Sequence, residues 1–527
     1  MMLTHDCLLK PRQFLIPRLL ARWLLLSLSL ALAACSGISA DQTLNDSSSL
    51  VENETAPKPN FQGVTLTVLS LTPGNGITEP IINHAAYFEA LTGIEIKIIT
   101  APFDLLYQEI LNDFRKGLHN YHVVIVPSQW KMDYVRQGYL LNLTEWVKAD
   151  SAIEWEDISL FFREYSATYD GGIYAIPLDG DILTLYYRSD ILEREGITPP
   201  RTWNEYLELA RRVHGQDLNN DGEADYGSCL VRTPQTNPRM LWAVASSFLQ
   251  SQGTQQGAFF DRETMKPLVN NAAFAEALAI YQEAIAYGPA LKGDENLSVT
   301  EMRSLFLSGR CAFTIDWGNL ATLAVESNSP IKNLVGTAIL PGSSQVLDRE
   351  TGQLVSCDSS ICPYSNDGVN HAPYAAQSGW VGTVNAALDE KTQAAAYAFL
   401  SYISQPKQSN IDVMFSKTDF NPYRISQLTN SQVWIEAGMN PQVARQYLNA
   451  IYSNFESQNI VVDLSIPQYE VYKQEILHPI LIDFLNQEIS VSEAMMKIES
   501  GWEKKTDELG RESQRKAYCQ SLRVECN

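Results

Sequence analysis

The chain has 527 residues, 45% of them hydrophobic and 10% aromatic, which excludes an intrinsically disordered polypeptide and exceeds what one simple core organises. Two lobes are therefore expected. The formal charge of −22 excludes nucleic acid as a natural partner, since nothing would offset phosphate repulsion.

At the N-terminus Lys10, Arg12, Arg18 and Arg22 precede the apolar run Trp23–Leu32, which is too short for a lasting bilayer span and reads as an export signal. The run ends in Leu32-Ala33-Ala34-Cys35, which resembles the bacterial lipobox and so implies cleavage after residue 34 and a lipid on Cys35. Membrane contact is then expected through the lipid alone. Residues 35–60, rich in Ser, Asn, Asp and Pro, hold too little apolar surface for a core and read as a flexible tether.

From residue 61 the pattern alternates. Val64, Leu66 and Val68 give a period-two strand, and Ile81, Ala85 and Phe88 a helical face stopped by Gly93. Ile94, Ile96 and Ile98 make a second strand, Phe103–Phe114 a second helix stopped near Gly117, and His122–Val126 a strand apolar enough to be buried on both faces. Strand-helix alternation of this kind predicts an α/β fold on a parallel sheet. Ligands gather beyond the C-terminal strand ends of such sheets, here at Gln129 and Trp130.

The stretch Tyr174–Asp190 then breaks two apolar segments with Pro177, Asp179, Gly180 and Asp181, as a crossing between packed bodies requires. In extended chain Asp179 and Asp181 share a face about 7 Å apart. That spacing suits the acid/base pair of a glycosidase, hydrogen bonding to a polyhydroxyl ligand, or a solvated loop. No zinc-protease, nucleophile-elbow, dinucleotide or P-loop motif accompanies the pair, which favours binding over catalysis.

Thr202-Trp203-Asn204-Glu205 is a capping box opening a helix, and helical patterns follow over Met240–Gln250, Phe274–Tyr287 and Met302–Ser308. Cys311–Asp316 reads as a strand, residues 341–377 as a long surface loop, and the remainder as mostly helical. Six cysteines follow Cys35, an even number that suggests disulfides in an exported chain, with Cys357–Cys362 and Cys519–Cys526 the first candidates. Asp217, Asn219, Asp221, Glu223 and Asp225 occupy the oxygen positions of a calcium loop, with Gly222 at its sharp turn; Ser228 stands where the bidentate Glu belongs. A structural Ca2+ and a plain Asx-rich turn both remain open, and no other cofactor is required. Trp130, Trp242, Trp317, Tyr374 and Trp380 fall at predicted element ends, where a ring serves either the C–H face of a sugar or the core.

Several segments in order carry a family resemblance: Ile173–Pro177 through Tyr186–Asp190, Pro200–Glu205, Leu307–Arg310 leading to Phe313–Trp317, and Gly379–Gly382 followed by Ala394–Leu400 and Ser404. From residue 61 onward the chain resembles the extracellular solute-binding proteins (family 1) of bacterial ABC importers, which include the maltose- and other sugar-binding lipoproteins. The resemblance implies a type II, maltose-binding-protein-like fold, two α/β lobes joined by hinge strands. It assigns 61–178 and 336–415, with the Cys-bearing loop 341–377, to one lobe and 179–335 and 416–527 to the other. It places ligand contacts at Asp181, Asp179, Trp317 and Trp380, with Gln129 and Trp130 nearby. The expected protein is a non-catalytic monomer, exported and lipid-anchored at the outer face of the cytoplasmic membrane or in the periplasm. It would capture a sugar or oligosaccharide and pass it to ABC permease subunits. The alternatives are a non-sugar solute (peptide, polyamine or metal chelate) and an exported glycoside hydrolase using Asp179 and Asp181.

Overall fold

The first sheet runs in the order Glu95–Ala101, Thr65–Leu71, Val123–Pro127, Trp380–Val384, Ile176–Pro177. Its first three strands are parallel, while Trp380–Val384 lies antiparallel between Val123–Pro127 and Ile176–Pro177. Every residue of Val123–Pro127 is buried, as its unbroken apolar run requires. Helices Thr78–Thr92 and Phe103–Lys116 connect the parallel strands, the first closed by Gly93 at φ 72° in the left-handed cap that favours glycine. The computed structural model describes residues 61–74, 76–289, 297–414 and 418–526. The export signal 1–34, Cys35 and the tether 35–60 lie outside the described residues.

The second sheet is ordered Val335–Ala338, Thr184–Arg188, Cys311–Asp316, Tyr226–Cys229. Its pairs are antiparallel except the last, which is parallel and stapled by a Cys229–Cys311 disulfide. Helix Trp203–Val213 opens on the expected capping box, in which the Glu205 amide donates to Thr202 Oγ1 and the Thr202 amide to the Glu205 carboxylate. Helix Asn237–Leu249 has every residue buried and packs on Ala272–Ala286. Among the described residues no helix is long and apolar enough to cross a membrane.

Three crossings link the two sheets, and they bind one another. Asp179–Leu183 carries the chain from Ile176–Pro177 to Thr184–Arg188, Tyr374–Gly379 leads back to Trp380–Val384, and Thr418–Arg424 leads from helix Pro406–Met414 to helix Ile425–Thr429. The amide of Leu178 donates to Trp380 O (3.0 Å), that of Leu183 to Tyr374 O (3.1 Å) and that of Gly180 to Asn421 O (3.1 Å). A Cβ on Gly180 would stand 2.1 Å from Pro422 O, and one on Gly379 2.2 Å from Asp179 O, so the crossings pack backbone to backbone where only glycine fits.

The loop 341–377 departs from the expectation in placement and character. It leaves Val335–Ala338 of the second sheet and stays on that lobe, with the Trp203 amide donating to Gly342 O and Asn370 Nδ2 to Ser247 O and Gln250 O. Arg349 caps the same helix end through Leu249 O (3.0 Å). The assignment of residues from 336 and of this loop to the first lobe is therefore corrected: hydrogen bonds to the helix ends at 201–203 and 247–257 hold it on the second. It is also built, with a hairpin Gln345–Leu347/Leu354–Ser356 whose Val346 is buried beside the Cys357–Cys362 disulfide. Cys519–Cys526 is bonded as expected. The Cys229–Cys311 bond links cysteines far apart in sequence that become neighbours only when the second sheet forms.

Candidate functional site

A cavity of about 590 Å³ opens where the crossings meet. Thr65–Leu71 delivers Leu71 and Thr72 to it from the C-terminal end of a parallel strand, and helix Phe103–Lys116 begins on its wall with Phe103. The second sheet contributes Trp317 from the end of Cys311–Asp316, and helix Val299–Leu307 contributes Ser298, Thr300 and Arg303 from its first turns. The segment entering helix Asn237–Leu249 adds Thr233, Thr236 and Arg239, while the crossings add Asp181, Gln377, Asp419 and, just beyond, Trp380. Indole, phenyl and hydroxyl groups thus surround a few ionisable ones, the composition of a small-molecule site.

The neighbours of Trp317 hold it rigidly. Its backbone amide donates to Asp316 Oδ1 (2.7 Å) and its carbonyl accepts from Tyr186 Oη (2.8 Å). Asp316 is in turn gripped by Arg303, whose Nε and Nη2 reach both carboxylate oxygens and whose Nη1 reaches Asp419 Oδ1 (3.0 Å). Trp380 is fixed through its amide, which donates to Asp179 Oδ2 (3.3 Å), and packs edge-on to Phe103 at 6.3 Å between ring centres. Asp179 and Asp181 both accept from Asn421 Nδ2, each at 2.9 Å, so one amide holds the two carboxyls together. Burial lifts the Asp179 carboxyl to about 7 against the pull of its Asn421 and Trp380 donors. Burial, and then the Asp179 charge, lift Asp181 well above the ordinary carboxylate range. The pair therefore retains a proton at neutral pH, and Asp181 Oδ2 has no hydrogen-bond partner among the described residues.

Of the residues singled out in the sequence, the structure brings Asp181, Trp317 and Trp380 to this cavity and leaves five off its wall. Asp179 is not on the wall and accepts instead from the Trp380 amide. Trp130 is buried against Phe103 and Tyr107, with its indole N–H donating to Tyr469 Oη. Trp242 packs between Phe259 and Trp502 in the core of the second lobe. Gln129 and Tyr374 both donate to Asp463, which also receives the buried Lys473 ammonium and the Gln377 amide. Contact with a cavity solute is thus corrected for Gln129, Trp130, Trp242 and Tyr374, whose polar atoms or rings are taken up by buried neighbours from the C-terminal third. The positions the sequence reading missed are Phe103, Arg239, Arg303 and Asp419. A signal existed for Arg239, the single charged residue of helix Asn237–Leu249.

In the Asp217–Asp225 loop, Asp217 accepts from the amides of Asp221 and Gly222, Asp225 from the amide of Leu218 and Arg310 Nε, and Glu223 pairs with Arg310 at 2.9 Å. Asx turns and an arginine thus engage these carboxylates. Among the described residues no group of three or more His, Cys, Asp and Glu side chains is arranged to hold a metal ion.

The profile of the bacterial extracellular solute-binding proteins matches residues 70–410. The chain belongs to that family. A mannitol-binding protein of Pseudomonas aeruginosa is 26% identical over 296 residues, 55% of this chain and 63% of that protein. The chain spans 56–63% of the length of the first curated relatives it matches. Solved solute-binding proteins share the fold. One from Agrobacterium radiobacter in complex with ribitol superposes with a TM-score of 0.65 at 21% identity, covering 84% of this chain and 99% of that one. One from Agrobacterium vitis with bound D-mannitol gives 0.64 at 20% identity, covering 85% and 99%. The type II, maltose-binding-protein-like architecture is the fold of this solute-binding protein, and its family is one of binding proteins rather than enzymes.

Proposed function

We propose that this solute-binding protein captures a polyol or sugar in the cavity between its crossings and delivers it to an ABC permease. The observation that carries the reading is the meeting of Trp317, Trp380 and Asp181, from three distant parts of the chain, around one cavity. Indole faces match the C–H surface of a carbohydrate and the polar rim matches its hydroxyls. The relatives that bind ribitol and mannitol support the solute class. A solute touching residues of both sheets stabilises the arrangement in which the sheets face it, and that arrangement is the one a permease would read. The protein is exported, held at the membrane by lipid on Cys35, and works as a monomer without catalysis. The hydrolase alternative is weakened because Asp179 and Asp181 accept from one Asn421 amide and so sit side by side, rather than facing each other across a bond to be cleaved.

A thermal-shift screen of the purified protein across polyols, sugars, amines and peptides tests the reading. A carbohydrate that raises the melting temperature and is recovered chemically unchanged is expected. Stabilisation by an amine or peptide alone, or turnover of a glycoside, would replace it. Anchoring is tested separately by Cys35→Ser, which is expected to release the protein from the membrane fraction.

A further inference from the structure

Arg239 is the lone charge of a helix in which every residue is buried, and only 2% of its surface is exposed. Its Nη1 donates to Gln235 O, whereas Nε and Nη2 have no hydrogen-bond partner among the described residues. Those two N–H groups form one edge of the guanidinium plane, the edge that matches two carboxylate oxygens in parallel. Burial works against the charge, but the fields of Tyr469, Glu470, Asp463 and Tyr374 outweigh it and the group stays cationic.

None of those neighbours supplies the missing contact. Asp463 is taken by Lys473, Tyr374 and Gln129, and Glu470, whose Oε1 accepts from Tyr469 and Trp130, has an unpartnered Oε2 that makes no hydrogen bond to Arg239. A buried guanidinium with an unmatched donor edge is costly, and Arg239 lines the cavity. Two more buried polar atoms of cavity residues also have no partner among the described residues, Trp317 Nε1 and Asp181 Oδ2. Trp317 offers only a donor, and Asp181, lifted by burial and by Asp179, shares a proton with Asp179 and so does not bring a full carboxylate charge to the wall. The wall is therefore rich in donors at this end, and its best complement is a group that only accepts.

We propose that the solute carries a carboxylate held on the Nε/Nη2 edge of Arg239, which makes it a sugar acid of the aldonate or uronate type. The inference rests on the carbohydrate reading above and narrows it. The hydroxyl groups of Thr233, Thr236, Ser298 and Thr300 and the rings of Trp317 and Trp380 serve the rest of such a molecule.

Calorimetric titration of the wild-type protein with matched pairs tests it: glucitol against gluconate, glucose against glucuronate and galactose against galacturonate, with mannitol, ribitol and maltose beside them. In at least one pair the acid is expected to bind about tenfold or more tighter than its neutral partner. Arg239→Gln is expected to erase that preference and Arg239→Lys, which keeps the charge but not the fork, to reduce it. Binding in which no pair favours the acid over its neutral partner overturns the inference and leaves the carbohydrate reading standing. No binding by any compound overturns both. The wild-type comparison decides the matter even if Arg239→Gln fails to fold.

Discussion

Asp179 and Asp181 show how two residues of ordinary type acquire a special role from what surrounds them. Both carboxyls rest on Asn421, both are buried, and between them they hold a proton that an unfolded chain would lose. The unfolded carboxyls titrate near 3.9, and the folded pair only from about 7 upward. Their proton-linked stability is thus full below the unfolded value and is lost as pH rises through the folded one. Asp181→Asn keeps an oxygen for Asn421 and removes the ionisation, so its denaturation midpoint relative to wild type is expected to rise between pH 5 and pH 8. Urea unfolding at the two pH values checks this, and a constant difference would contradict the assignment. The pair stood out in the sequence because two acids flanked a glycine between apolar runs. Its environment was not legible, because Asn421 lies far away in a crossing that hydropathy does not distinguish from any other loop. Arg239 was missed for a related reason: an apolar helix reads as core, and only the cavity beside it gives its one charge a meaning.

At the scale of elements, alternation along residues 64–126 was enough to foretell the parallel strands, and the stops at Gly93 and Gly117 both hold as left-handed caps. Aromatic residues near element ends were a poorer guide. Trp317 and Trp380 reach the cavity, but Trp130 and Trp242 meet Tyr469 and Trp502 from the C-terminal third, and no local pattern reports such a neighbour. The crossings depend on backbone contact, so Gly180→Ala, which sets a Cβ against Pro422 O, is expected to lower stability by at least about 2 kcal/mol in chemical denaturation. A loss of a few tenths would show that the crossings can part. The disulfides rank by the loops they close. Cys229–Cys311 spans 82 residues and Cys357–Cys362 only 5. Replacing the first pair with serines is expected to cost about 2–5 kcal/mol, clearly more than replacing the second. Equal losses would mean that native packing, and not chain entropy, sets their worth.

For the whole molecule, the family profile ends at residue 410, yet the site is completed beyond it. Asp419 pairs with Arg303, Asn421 holds both aspartates, and Asp463 gathers Gln129, Gln377, Tyr374 and Lys473. The C-terminal third therefore ties the strand ends of the first sheet to the second lobe, while the loop 341–377 is held on that lobe by hydrogen bonds to helix ends about a hundred residues earlier, which sequence order does not report. The two-sheet architecture was legible from periodicity and motif order; the ties across it were not, since all but the Lys473 pair join residues 86 or more positions apart, beyond the reach of any local pattern. On the proposed function a carbohydrate is held, unchanged, against Trp317. The most direct test is calorimetric titration of wild type and Trp317→Ala with the stabilising solute, followed by chromatography of that solute. One saturable site is expected in the wild type, with affinity weaker by roughly tenfold to a hundredfold in the variant, and intact solute throughout. Equal affinity in the two proteins, or a hydrolysed solute, would contradict the proposed function.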